Sequence, residues 1–289
     1  MRSLNVPIFI LTAATAASAH AGITSNWIGS SGGVWSSGAN WSSGVPGTGG
    51  VTDAVITTGR GLITVNLDSF PVIQTLTIGS GCTLLQPDNR DLTVTGVLND
   101  GFWSLSSAGS STDIILNANM AFLGSGTIEL GNSSANRILS VGAVRTLLNG
   151  ANHTIRGAGQ VGFNNTQITN DGVIEATLPV GMWVDQHNGA LLDNNGLMRA
   201  RDGSMLSLYD SPIDNVNGVI RAEDASFVTF RFGSVTGGTI EATGSGELRV
   251  TSEIGQFNDL TKNGVLRQTD NADCYVGGTI VNNGPWILE

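Results

Sequence analysis

A short motif, Gly-x-Ile-x-Ala, returns along the chain, and repetition of this kind limits the fold more than any other feature. Copies occupy Gly126–Glu129, His153–Arg156, Gly172–Ala176, Gly196–Ala200, Gly218–Ala222, Gly238–Ala242 and Gly264–Arg267, with Gly284–Ile287 as the last. From Gly172 onward they lie 20 to 26 residues apart. A drifting period suits coils of a β-solenoid, where loops absorb the differences, better than a helical repeat of fixed length.

Within a copy the chemistry alternates. Ile174 and Ala176 share one parity and Glu175 the other, as do Ile220, Ala222 and Arg221. Alternate residues of a strand face opposite sides. Stacked coils then give an inward column of Ile128, Ile155, Ile174, Met198, Ile220, Ile240 and Leu266, ending at Trp286. The outward column beside it is a ladder of Glu129, Arg156, Glu175, Arg199, Arg221, Glu241 and Arg267. Its only like-charge step is Arg199 to Arg221. Exposed pairs contribute about 0.2–1 kcal/mol each, so such a ladder mainly selects register. Asn or Asp before Gly precedes most strands (Asp171-Gly172, Asn195-Gly196, Asn263-Gly264), which marks a corner needing positive φ. Second strands are predicted in mutual register at Met205–Leu208, Phe227–Phe230, Glu247–Val250 and Cys274–Val276.

The composition agrees with strands and turns. Only 12% of residues are charged, 40 of the 289 are glycine, and Lys262 is the one lysine. The predicted fold is all-β: a right-handed parallel β-helix, or β-solenoid, with handedness following the usual crossover rule. At one coil per ~22 residues it holds about 12 coils and is roughly 55–60 Å long.

Residues 1–21 read as a signal peptide. Met1-Arg2 is followed by an apolar run, Val6 to Ala17, too short to span a bilayer. Small-x-small cleavage sequences follow at Ala17-Ser18-Ala19 and Ala19-His20-Ala21. Residues 22–289 form the mature solenoid, with repeats clearest over 126–289. The expected location is extracellular or at the cell surface, the periplasm being the alternative. A net charge of -10 argues against nucleic acid or an anionic membrane as partner, and no stretch suggests an integral membrane protein. Cys82 and Cys274 would stand about 40 Å apart along such a rod, so two free, buried thiols are expected.

The segments Asn26–Gly29, Gly32–Trp35, Asn40–Ser42, Gly44–Pro46 and Asp53–Ile56, with the later Asn-x-Gly-x-Ile-x-Ala copies, resemble bacterial secreted repeat proteins. These are related in style to autotransporter passenger domains and filamentous-haemagglutinin-type adhesins. The resemblance covers nearly all of the mature chain; it implies a solenoid fold and export, but no particular activity. An autotransporter would also carry a C-terminal membrane barrel, whereas this sequence ends in mid-pattern at Glu289.

Candidate chemistry is sparse. His153 stands where a turn residue is expected, and His187, which Asp185 could orient, lacks an accompanying nucleophile motif. Asp202 and Asp224 fall in equivalent turns one coil apart, a geometry that could present oxygens to calcium, although a turn-capping role explains them as well. Trp27, Trp35 and Trp41 read as a cap over the first coil, with a sugar-stacking platform as the alternative. No cofactor is implied. The sequence therefore predicts a structural or adhesive protein without catalytic activity, with surface polysaccharide or other solenoid chains as partners. The alternative is a polysaccharide-binding or polysaccharide-cleaving β-helix. Trp286–Leu288 would leave an apolar last coil unpaired, so either a longer natural product or a docked end is expected.

Overall fold

The computed structural model describes residues 22–57, 61–251 and 255–289; the predicted signal peptide lies outside them. The described chain is a parallel β-solenoid whose single helical element is the 3-10 turn Gly38–Asn40. From Thr75 onward each coil contributes a strand to each of three sheets in turn. The first sheet begins with Ile23–Asn26 and Val51–Ile56, the second with Gly33–Val34 and Ile63–Asn66, and the third with Leu92–Val94. The first two sheets hold twelve strands each and the third holds ten. Ten coils are therefore three-sided, and the two at the N-terminal end lack a third strand.

The missing strands are replaced by a cap. Trp27, Trp35 and Trp41 are buried together, with edge-to-face contacts at 5.1 and 4.9 Å between ring centroids. Trp41 Nε1 donates to Trp35 O at 2.7 Å and Trp35 Nε1 to Pro46 O at 3.1 Å. Burying three indoles closes the apolar column at this end.

The inward column runs in register through Ile128, Ile155, Ile174, Met198, Ile220 and Ile240, all fully buried. Each such side chain contributes about 1.5–3 kcal/mol by leaving water, and only adjacent coils supply the contacts. The next residue in the column is Lys262, and the predicted Leu266 and Trp286 belong elsewhere. Leu266 and Trp286 continue the third sheet above Leu206, Val228 and Leu248. The reason is chemical. Lys262 breaks the apolar pattern, and Asn263-Gly264 carries the corner signal at a different corner, so the next Gly-x-Leu-x sequence imitates the missing copy.

Arg267 is displaced from the outward ladder for the same reason. It stands beside Arg249 on the third sheet, and Asn263 follows Glu241. Met205, Phe227 and Glu247 do share a register. Cys274–Gly277, however, belongs to the first sheet, paired with Gly255–Asn258. Both thiols are free; Cys82 is buried, whereas Cys274 is only partly covered.

Candidate functional site

Two interior or half-buried ladders run along the rod. On the second sheet Glu129 pairs with Arg156 at 2.8 Å. Glu175, nearly buried, receives Arg199 at 2.6 Å and Arg201 at 2.9 Å. Burial alone raises the Glu175 carboxyl, but the Arg201 and Arg199 guanidiniums outweigh it and hold the group below its ordinary value. The like-charge step from Arg199 to Arg221 is bridged by Glu223, which lies 3.0 Å from Arg199 and 3.7 Å from Arg221. Arg221 also reaches Glu241 at 2.5 Å. Arg267 serves a separate cluster, with Glu247 at 2.9 Å and Glu289 at 2.8 Å.

The second ladder was not anticipated. Asn149, Asn170, Asn194 and Asn215 are fully buried where the first sheet turns into the second. Each of the first three donates from Nδ2 to Oδ1 of the next, at 2.8, 2.8 and 2.7 Å. The same amides also reach backbone carbonyls of the next coil, such as Val173 O at 3.1 Å from Asn149 and Thr239 O at 3.2 Å from Asn215. Buried amides need such partners. The sequence signal was an Asn one to three residues ahead of the corner glycine, in Asn170-Asp171-Gly172 and Asn194-Asn195-Gly196. The conspicuous Asn-Gly pair beside it drew attention to the turn instead.

His153 belongs to this ladder. It is fully buried, and burial lowers its pKa to about 4. Nδ1 lies 2.8 Å from Asn149 Oδ1 and Nε2 lies 3.2 Å from Asn99 Nδ2. The neutral Nδ1–H tautomer satisfies both contacts. Its role is structural.

The remaining residues singled out in the sequence are engaged locally. Asp202 pairs with Arg201, and Asp224 Oδ1 accepts from the Ser245 amide at 2.9 Å. Among the described residues no group of three or more His, Cys, Asp or Glu could hold a metal ion. The indole faces of Trp27, Trp35 and Trp41 are occupied within the cap, so they form no sugar platform. His187 Nδ1 faces Asn164 O at 3.3 Å rather than Asp185.

A different place gathers unpaired polar groups: the corner where the third sheet turns into the first. Asp185, Tyr209 and Arg231 are neighbours in register on the outer face of three successive coils. The Arg231 guanidinium lies 5.2 Å from the Tyr209 ring centroid, and Phe232 meets Tyr209 edge-on at 6.1 Å. Beside them opens a cleft of about 430 Å³ lined by Asp210, Ser211, Pro212, Phe232, Ser234 and Gln256, among others. Desolvation, with a smaller effect of the Asp210 charge, raises Asp185 to about 6. Ser211 Oγ and Arg231 Nε are buried without a hydrogen-bond partner among the described residues. Asp210 and Phe232 adopt φ of 49° and 53°, left-handed conformations that cost of order 1–2 kcal/mol each for such residues.

Comparison with protein-family models, with curated proteins and with solved structures finds no match to this chain. Among the described residues no helix is long and apolar enough to cross a membrane.

Proposed function

We propose that the protein is a secreted or cell-surface rod with a structural and adhesive role and no catalysis of its own, akin to autotransporter-passenger and haemagglutinin-type repeats. One observation carries this reading: the ion pairs run from coil to coil. Arg137–Asp113, Arg156–Glu129, Arg199–Glu175, Arg221–Glu241 and Arg267–Glu247 each join neighbouring coils. Charge used in this way sets register and stiffens a rod. Surface polysaccharide or other solenoid chains are the partners such a rod suits.

The second reading, a polysaccharide-cleaving solenoid, is favoured by Asp185. A carboxyl raised toward neutrality beside a second carboxylate is the pattern of an acid–base pair. Cell fractionation and mass spectrometry of the exported chain test the first reading, which expects protein outside the cytoplasmic membrane starting near His20 or Gly22. Retention in the cytoplasm overturns it. So does release of reducing ends from polysaccharides that is lost in Asp185→Asn.

A further inference from the structure

The corner cleft beside Asp185, lined from Asp210 to Gln256, brings polar groups and an exposed aromatic ring together. Glu129, Glu175 and Glu241 on the second sheet each have an arginine partner, whereas among the described residues Asp185, and Asp210 whose charge acts on it, have none. Asp210 supplies acceptors to the cleft, Gln256 an amide, and Ser211 and Ser234 groups of both kinds, while Asp185 and Arg231 stand on the strands beside it. Ser211 is 6% exposed, lines the cleft, and its Oγ has no partner. A buried hydroxyl left unpaired is costly, and a ligand at the cleft would give it a partner. The apolar component is the Phe232 ring, which is 36% exposed and lines the cleft.

From this arrangement we infer that the cleft binds an uncharged, hydroxyl-rich sugar chain lying along the rod axis. A polyanion such as a uronate meets two carboxyls that have no cation paired to them. A cation meets the positive charge of Arg231, next to Phe232 and stacked on Tyr209. Hydroxyl groups are both donors and acceptors and suit a mixed set of this kind, while the C–H faces of sugar rings pack on aromatic faces. The axial repeat supports the same orientation. Coils rise by about 4.8 Å, close to the length of one sugar residue, so successive rings meet the successive coils that line the cleft at Asp210–Pro212, Phe232–Ser234 and Gln256. The ring of Phe232 and the strained backbone at Asp210 and Phe232 then present the binding groups rather than fill the core.

Titration calorimetry of the mature chain tests this with neutral hexaoses (cello-, xylo-, manno-, malto- and laminari-series) and with hexagalacturonate. At least one neutral hexaose is expected to bind more tightly than its own dimer, with hexagalacturonate weaker by about tenfold or more. Phe232→Ala and Gln256→Ala should each lower that affinity by about tenfold. Gln256, on the surface, gives a variant that folds even if Phe232→Ala does not. Failure of all five neutral series to bind, preference for the uronate, or unchanged affinity in Gln256→Ala together with a folded Phe232→Ala overturns the assignment. The site would give the adhesive rod a ligand, but export and rod structure are measured separately, so either idea can fail alone.

Discussion

Asn99 Nδ2 lies 3.2 Å from His153 Nε2 although 54 residues separate them, because His153 reaches down past a coil that has glycine in place of an asparagine. Gly124 and Gly126 leave the space. A Cβ on Gly126 would stand 2.7 Å from Asn99 Oδ1. The imidazole thus joins the isolated Asn99 to the continuous asparagine run that begins at Asn149.

This makes stability sensitive to acid. The His153 pKa falls from an ordinary value near 6.5 to about 4 in the folded chain. Between those values the unfolded chain binds the extra proton, so stability falls as pH drops from about 6.5 to about 4, by up to ~3 kcal/mol. Urea melts at pH 7 and pH 4.5 should show that loss, and His153→Gln should flatten it. An equal slope in the variant would remove the histidine from the account.

Interrupting the asparagine run should cost more than its exposure suggests. Asn170→Leu removes the donor to Asn194 Oδ1 and the acceptor for Asn149 Nδ2. The unpaired groups should lower stability by about 2–4 kcal/mol. Hydrogen exchange should quicken first in coils flanking residue 170, since each coil touches only its neighbours. Uniform exchange along the rod would contradict a local ladder.

Glu175 is the centre of the ion network. Glu175→Gln leaves Arg199 and Arg201 with no carboxylate at 2.6 and 2.9 Å. Both arginines are partly exposed and can turn to water, so the expected loss is about 1–3 kcal/mol, less than for a fully buried pair. Because the folded pKa of Glu175 is lowered, the wild-type advantage is fully present above the ordinary carboxylate pKa and is lost as pH falls from there through the lower folded value. Equal stability of variant and wild type at pH 7 would show the network to be thermodynamically idle.

Asp185 works in the opposite direction. Its raised folded pKa means that stability is lost as pH rises from about 4 to about 6. Asp185→Asn should therefore raise stability at pH 7, by about 1 kcal/mol once solvent screening of this partly exposed group is allowed for. A destabilised variant would indicate that the carboxylate has an unseen partner.

At Lys262, Nζ donates to the carbonyls of Gly264, Gly284 and Pro285 at 2.8, 2.9 and 2.9 Å. Lys262→Met fits the apolar column but leaves three acceptors without a donor, and a loss of about 2 kcal/mol is expected in thermal melts. A gain would mean that the aliphatic column outweighs those acceptors.

Most of the rod was legible because strand alternation is a strong signal where apolar residues repeat, as at Ile174 and Ile220. It failed at Lys262, where a cation occupies an inward position, and the copies at Gly264 and Gly284 then imitated a strand of another sheet. The Asn170 ladder was hidden because buried asparagines and turn asparagines look alike in sequence. The corner cleft was hidden for another reason. Asp185, Tyr209, Arg231 and Gln256 are far apart along the chain, and only the coiling brings them to one corner.

The three corners differ in freedom. Between first- and second-sheet strands from Thr75 onward the connections are two to four residues long, whereas the third-to-first connections range from one to six. The asparagine run ties the short corner into a spine, and length differences are absorbed on the opposite edges. New segments can therefore be inserted next to the cleft without disturbing a single rung, so this fold can change what it touches while keeping the same backbone axis.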